Sequence, residues 1–163
     1  MKKIINALAC LALFSLLINA HAAESARHEG LENVQVGRVV WDISLSDPKK
    51  LLPNFRVMRQ TYDDLEKRNI KPEMVFAFRG PVVKLLSEDL ANVAAEDRQA
   101  VEGIQQIVKD IGNRKGVSVL ACGLSTKAMG VNQKLLPEVE TVSNSFLTLI
   151  GYQTKGYALI AIR

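Results

Sequence analysis

Two runs constrain this chain more than any others: Met74-Val75-Phe76-Ala77-Phe78 and Val117-Ser118-Val119-Leu120-Ala121 are almost continuously apolar. A strand with one wet face alternates polar and apolar residues. A strand without that alternation is covered on both faces and belongs inside a parallel sheet. The first run is turned abruptly by Arg79-Gly80-Pro81, and the second is closed by Cys122-Gly123. Parallel neighbours cannot be joined by a hairpin, so helices must connect them.

The intervening sequence supplies those helices. Ser46-Asp47-Pro48 reads as a helix start, and Leu51, Leu52, Phe55, Met58, Tyr62 and Leu65 recur at helical spacing until Lys71-Pro72 stops the pattern. A short apolar turn at 82–86 and a polar stretch follow. Val101, Ile104, Ile107, Val108 and Ile111 then mark one face of a helix ending at Gly112. Residues 38–45 read as a first strand. Residues 125–129 read as a short helix, Thr141-Val142 as a brief strand, the segment around Phe146, Leu147, Leu149 and Ile150 as a helix, and 157–162 as a closing strand. The alternation predicts an α/β fold: a three-layer α/β/α sandwich with a mainly parallel sheet. In such a sheet ligands bind at the carboxyl ends of the strands, the edge where Ser44, Arg79 and Cys122 fall.

The chain begins differently. Lys2 and Lys3, an apolar run at 8–18 and the small-x-small triplet Ala20-His21-Ala22 have the form of a cleaved signal peptide, with the mature start near Ala23. The apolar run is about half of the roughly 20 residues that a spanning helix needs, so no membrane span is expected after processing. The predicted organisation is a signal peptide at 1–22, a polar arm at 23–36 and one α/β domain at 37–163. The expected location is periplasmic or extracellular.

Processing changes what composition means. The whole chain has 163 residues and a formal net charge of +4, but losing Lys2 and Lys3 leaves 19 basic against 17 acidic residues. With no basic stripe and 6% aromatic residues, nucleic acid is not an expected partner. His21 and Cys10 leave with the leader, so the mature domain keeps one histidine, His28, in a polar arm, and one cysteine, Cys122. A Ser-His-Asp triad or a Cys-His pair lacks its histidine, and no metal cluster of the Cys/His type can form.

Cys122 is therefore the candidate nucleophile. In an oxidising compartment a lone cysteine is a reactive thiol, an intermolecular bridge or an inert core residue. Backbone N–H groups at the turn beyond it would stabilise a thiolate, with Ser125 placed to cap the short helix. Arg79 and Lys127 are candidates to hold an anion or the thiolate. The plainer alternative for both is a surface cation with its stem on apolar neighbours. Gly80 and Gly123 are candidates for backbone contact with a ligand, or simply for turn geometry.

Three blocks, Phe78-Arg79-Gly80-Pro81, Val119-Leu120-Ala121-Cys122-Gly123-Leu124-Ser125-Thr126-Lys127-Ala128-Met129-Gly130 and Gln153-Thr154-Lys155-Gly156-Tyr157-Ala158, resemble in order and spacing those of the DsrE/DsrF-like family. The resemblance spans roughly residues 38–163. It implies a flavodoxin-like fold, homo-oligomers or hetero-oligomers, and sulfur passed as a cysteine persulfide between donor and acceptor proteins, with Cys122 at the matching position. Persulfide chemistry on Cys122 would require no metal or organic cofactor. Many relatives have histidine where this chain has Arg79, and Val-Pro-x-Gly where it has Val142-Ser143-Asn144-Ser145. Three readings follow: an exported persulfide carrier or sulfurtransferase, an oligomeric module binding a small anion or a partner, and a thiol redox sensor.

Overall fold

The computed structural model describes residues 30–91 and 93–163. The signal peptide expected at 1–22 and the first part of the expected arm lie outside the described residues. The chain divides into a unit ending at Gln35 and one covering Val36–Arg163. In the first unit the described residues form turns, with the Val34 N–H donating to the Leu31 carbonyl at 3.2 Å.

In the second unit the elements run β1 (Val36–Ile43), α1 (Pro48–Lys67), β2 (Lys71–Phe78), a 3-10 helix (Gly80–Leu86), α2 (Arg98–Gly112), β3 (Val117–Cys122), α3 (Gly123–Ala128), β4 (Val139–Val142), α4 (Ser145–Thr154) and β5 (Ala158–Ile162). All five strands are parallel, in the order β4-β3-β2-β1-β5. The predicted α/β sandwich is observed. Among the boundaries that differ from the sequence reading are these two. β1 begins two residues earlier and stops at Ile43, because Ser44 and Leu45 turn their N–H groups onto the Ile162 carbonyl. The apolar stretch at 82–86 is part of a 3-10 helix entered through Gly80.

Local chemistry explains the helix starts. Asp47 caps α1 by accepting the N–H groups of Lys49 and Lys50 at 3.0 and 3.1 Å, and Pro48 sits where its missing N–H costs nothing. Asn144 caps α4 in the same way, accepting the Phe146 N–H at 2.9 Å.

Alternation along the strands sorts the core into two faces. On one face Trp41, Phe76 and Phe78 meet Phe55 of α1, with neighbouring ring centroids 5.9–6.3 Å apart. On the other, Val40, Val75, Ala77 and Leu120 pack against Leu149 of α4, flanked by Tyr152 and Tyr157. Asp42 and Cys122 follow the second parity and emerge at the carboxyl edge on the α4 side. From β1 to β4 the chain steps across the sheet in one direction; after β4, α4 carries it back to the far side of β1. The reversal opens a crevice between the carboxyl ends of β3 and β4.

Candidate functional site

Cys122 is the last residue of β3, in register with Val142 at the end of β4, and only 4% exposed. It forms part of the wall of a cavity of about 350 Å³ shared with Arg79, Gly80, Leu124, Ser125, Asn144, Ser145 and Phe146. Three connections converge there: the turn after β2, the entry into α3 and the entry into α4.

The thiol is poised by two opposed effects. Burial pushes its pKa up, while the backbone N–H and hydroxyl groups of Ser145 and Ser125 hydrogen-bond the sulfur and outweigh burial, bringing the pKa from 9.0 to about 7. Near neutrality a large share of Cys122 is therefore thiolate. Ser125 also accepts the Gly80 N–H on its Oγ at 2.8 Å, which leaves its own proton to face the sulfur. The sequence reading made Ser125 the cap of the short helix. In the structure α3 starts at Gly123, two residues earlier, and Ser125 lies in its first turn, joined instead to Gly80 at the start of the 3-10 helix.

Arg79 is held before it reaches any ligand. Its Nε and Nη2 donate to Asp42 Oδ1 and Oδ2 at 2.7 and 2.9 Å, and its Cζ lies 5.4 Å from the centroid of the Phe146 ring. The Asp42 side chain is 3% exposed and that of Arg79 is 23% exposed. The hydrogen bond from Arg79, opposed by burial, holds the Asp42 carboxyl below its usual range, and the same bond raises Arg79. Arg163 approaches Asp42 from the end of β5 at 3.4 Å, with a largely exposed side chain.

Of the residues singled out from sequence, Arg79, Gly80, Cys122 and Ser125 come together. Lys127 does not: it is exposed on α3 and absent from the cavity wall. Gly123 lies behind the cavity wall, where a Cβ would sit 2.8 Å from the Val142 carbonyl oxygen, so its smallness lets β3 and β4 approach. Asp42, Asn144, Ser145 and Phe146 escaped the sequence reading, although Asn144 as a helix cap after Thr141-Val142 was a usable signal. Among the described residues no group of three or more His, Cys, Asp and Glu side chains could hold a metal ion, and no helix is long and apolar enough to cross a membrane.

The model of the DsrE/DsrF-like family matches residues 54–162. An uncharacterized protein of Aquifex aeolicus (strain VF5) is 28% identical over 123 residues, which are 76% of this chain and 55% of that protein. The chain thus spans about half the length of the curated relative it matches. Two solved structures share the fold. MTH1491 from Methanobacterium thermoautotrophicum, a protein of unknown function, has a TM-score of 0.58 at 24% identity, covering 77% of this chain and 99% of that one. The ychN protein from E. coli has a TM-score of 0.53 at 11% identity, covering 78% and 99%.

Proposed function

The chain belongs to the DsrE/DsrF-like family, and on that premise we propose that it is an exported carrier of sulfane sulfur that holds the atom as a persulfide on Cys122. The supporting observation is the convergence of the Ser125 and Ser145 donors on one thiol facing a cavity, which lowers its pKa to about 7. The thiolate attacks the outer sulfur of a donor R–S–SH, the S–S bond of the donor breaks, and R–S⁻ leaves with the bonding pair. An acceptor thiolate then takes the outer sulfur from Cys122–S–SH and returns Cys122 to its thiolate. Both steps conserve electrons and need no cofactor.

Export rests on the leader sequence alone. Assembly with further copies is supported by Phe146, Leu147 and Ile150 on α4 and Leu159 and Ile160 on β5, all large apolar residues left exposed. The donor and acceptor are proposed to be partner proteins or small thiols. The anion-module reading is weakened by Arg79, whose charge is already engaged by Asp42. Of the two forms of the redox-sensor reading, sulfenic acid or an intermolecular disulfide, the disulfide joining two copies through Cys122 is weakened by the burial of the thiol.

Intact mass before and after incubation with a sulfane donor tests the carrier reading. A gain of about 32 Da per sulfur atom, reversed by a reducing thiol and absent in Cys122→Ser, is the expected result. No gain that depends on Cys122 overturns it.

A further inference from the structure

The cavity beside Cys122 carries an unusual charge arrangement, and the inference drawn from it deepens the persulfide reading and rests on it. Among the described residues Arg79 is the only cation in the cavity wall. Two of its three nitrogens are spent on Asp42, a carboxylate buried behind it. Arg163 is 68% exposed, lies outside the cavity wall and is screened by water. With Cys122 ionised, the arginine and the carboxylate cancel and the thiolate leaves the cavity with about one negative charge. The Ser125 and Ser145 donors are engaged by the sulfur itself. Among the described residues of the wall, no uncompensated cation is left to receive a small dianion. Besides the neutral amide of Asn144, the opening is bordered by Leu124 and Phe146, each more than half exposed.

A buried ion pair is a poor source of stability, since desolvating both charges offsets most of their attraction. Its placement on the cavity wall gives it another use. We propose that Asp42 is a specificity-determining residue: by cancelling the charge of Arg79, it turns the Cys122 cavity against small inorganic dianions such as thiosulfate and towards sulfane sulfur carried on an alkyl group, R–S–SH. Both reactions balance. With thiosulfate, the thiolate bonds to the outer sulfur, that sulfur's bond to the sulfonate breaks, and sulfite leaves with the electron pair. With an alkyl persulfide, the leaving group is the alkyl thiolate, whose apolar chain fits the rim at Leu124 and Phe146.

The test compares loading rates of the purified protein with sodium thiosulfate and with a short-chain alkyl persulfide, read by intact mass. Wild type loads the alkyl persulfide faster, and the thiosulfate-to-persulfide ratio rises with added salt as like-charge repulsion is screened. In Asp42→Asn the uncancelled Arg79 attracts the dianion, and the ratio shifts towards thiosulfate by about tenfold, the size expected for one unit charge at short range in a partly buried site. An unchanged ratio in a folded Asp42→Asn protein overturns the assignment. So does a ratio that falls with salt in wild type, a measurement that needs no variant to fold. If neither donor loads wild type, the carrier reading itself fails and this assignment goes with it. If both load and only the charge dependence is missing, the carrier reading stands and Asp42 loses its role.

Discussion

The Gly80 N–H donates to Ser125 Oγ at 2.8 Å, tying the start of the 3-10 helix that follows β2 to the first turn of α3. Ser125 is thereby fixed with its hydroxyl proton towards the Cys122 sulfur. Ser125→Ala removes one donor to the thiolate and leaves the Gly80 N–H unpaired. The Cys122 pKa should rise from about 7 by about one unit, equivalent to about 1.4 kcal/mol. The pH dependence of Cys122 alkylation, followed at the peptide level, measures it; an unmoved profile would show that Ser125 does not act on the sulfur.

The same thiol makes stability depend on pH. Its folded pKa of about 7 lies below the ordinary value of 9.0. The contribution is therefore absent below about pH 7, grows as pH rises between the two values, and is complete above the upper one. At its full extent it is at most about 2–3 kcal/mol. Wild type should gain urea resistance relative to Cys122→Ser between neutral and mildly alkaline pH. Parallel curves for the two proteins would contradict the hydrogen-bonded thiolate.

Arg79→Met leaves the Asp42 carboxylate buried with only the exposed Arg163 nearby, and should cost about 3–5 kcal/mol. Removing both charges, in Asp42→Leu with Arg79→Met, should cost less than the sum of the single changes. The sign with pH also differs. In wild type the depressed Asp42 pKa gives stability that is lost as pH falls below its ordinary value of 3.8. In Arg79→Met burial is opposed only by the exposed Arg163, so the Asp42 pKa should rise and acidification towards pH 4 should narrow the stability gap between the variant and wild type. Chemical denaturation across that range reads both effects.

Gly80 has φ +71°, in the left-handed region, with open space where a Cβ would stand. Gly80→Ala should therefore cost about 1–2 kcal/mol through backbone strain alone. The tilt of the 80 N–H should also loosen its bond to Ser125, so alkylation of Cys122 at pH 7 should slow along with the lost stability. A stability loss without any change in thiol reactivity would separate the turn from the site.

If the apolar residues of α4 and β5 mediate assembly, Ile150→Asp should lower the sedimentation coefficient while leaving the circular dichroism of the fold unchanged. An equal coefficient for variant and wild type places assembly elsewhere or removes it.

The central strands were legible because burial on both faces erases alternation, as at Phe76 and Val119. The long helices were legible because Phe55 and Ile104 belong to strong periodic stripes. The edge elements were harder. β4 is four residues long with Glu140 exposed on it, and its pairing with β3 is set by the sheet rather than by its composition. Half of the site was visible for a local reason: Arg79, Gly80, Cys122 and Ser125 lie at the ends of readable strands. Asp42 and Ser145 were not, because each meets its partner only through strand order. Asp42 reaches Arg79 by the adjacency of β1 and β2, and Ser145 reaches Cys122 because β4 lies beside β3. Neither adjacency is written in local spacing.

The strand order also sets a sequence of events in time. β1 is the first strand of the domain to leave the ribosome and β5 the last, yet they are neighbours, with Val39 opposite Ala158. One side of β1 must stay unpaired through the synthesis of everything between them. Closing that pair also carries the loop entropy of nearly the whole domain, which slows folding. During that interval β1 presents an open apolar edge. A chain of this design depends on late closure, and its β1 edge stays open to mispairing until β5 arrives.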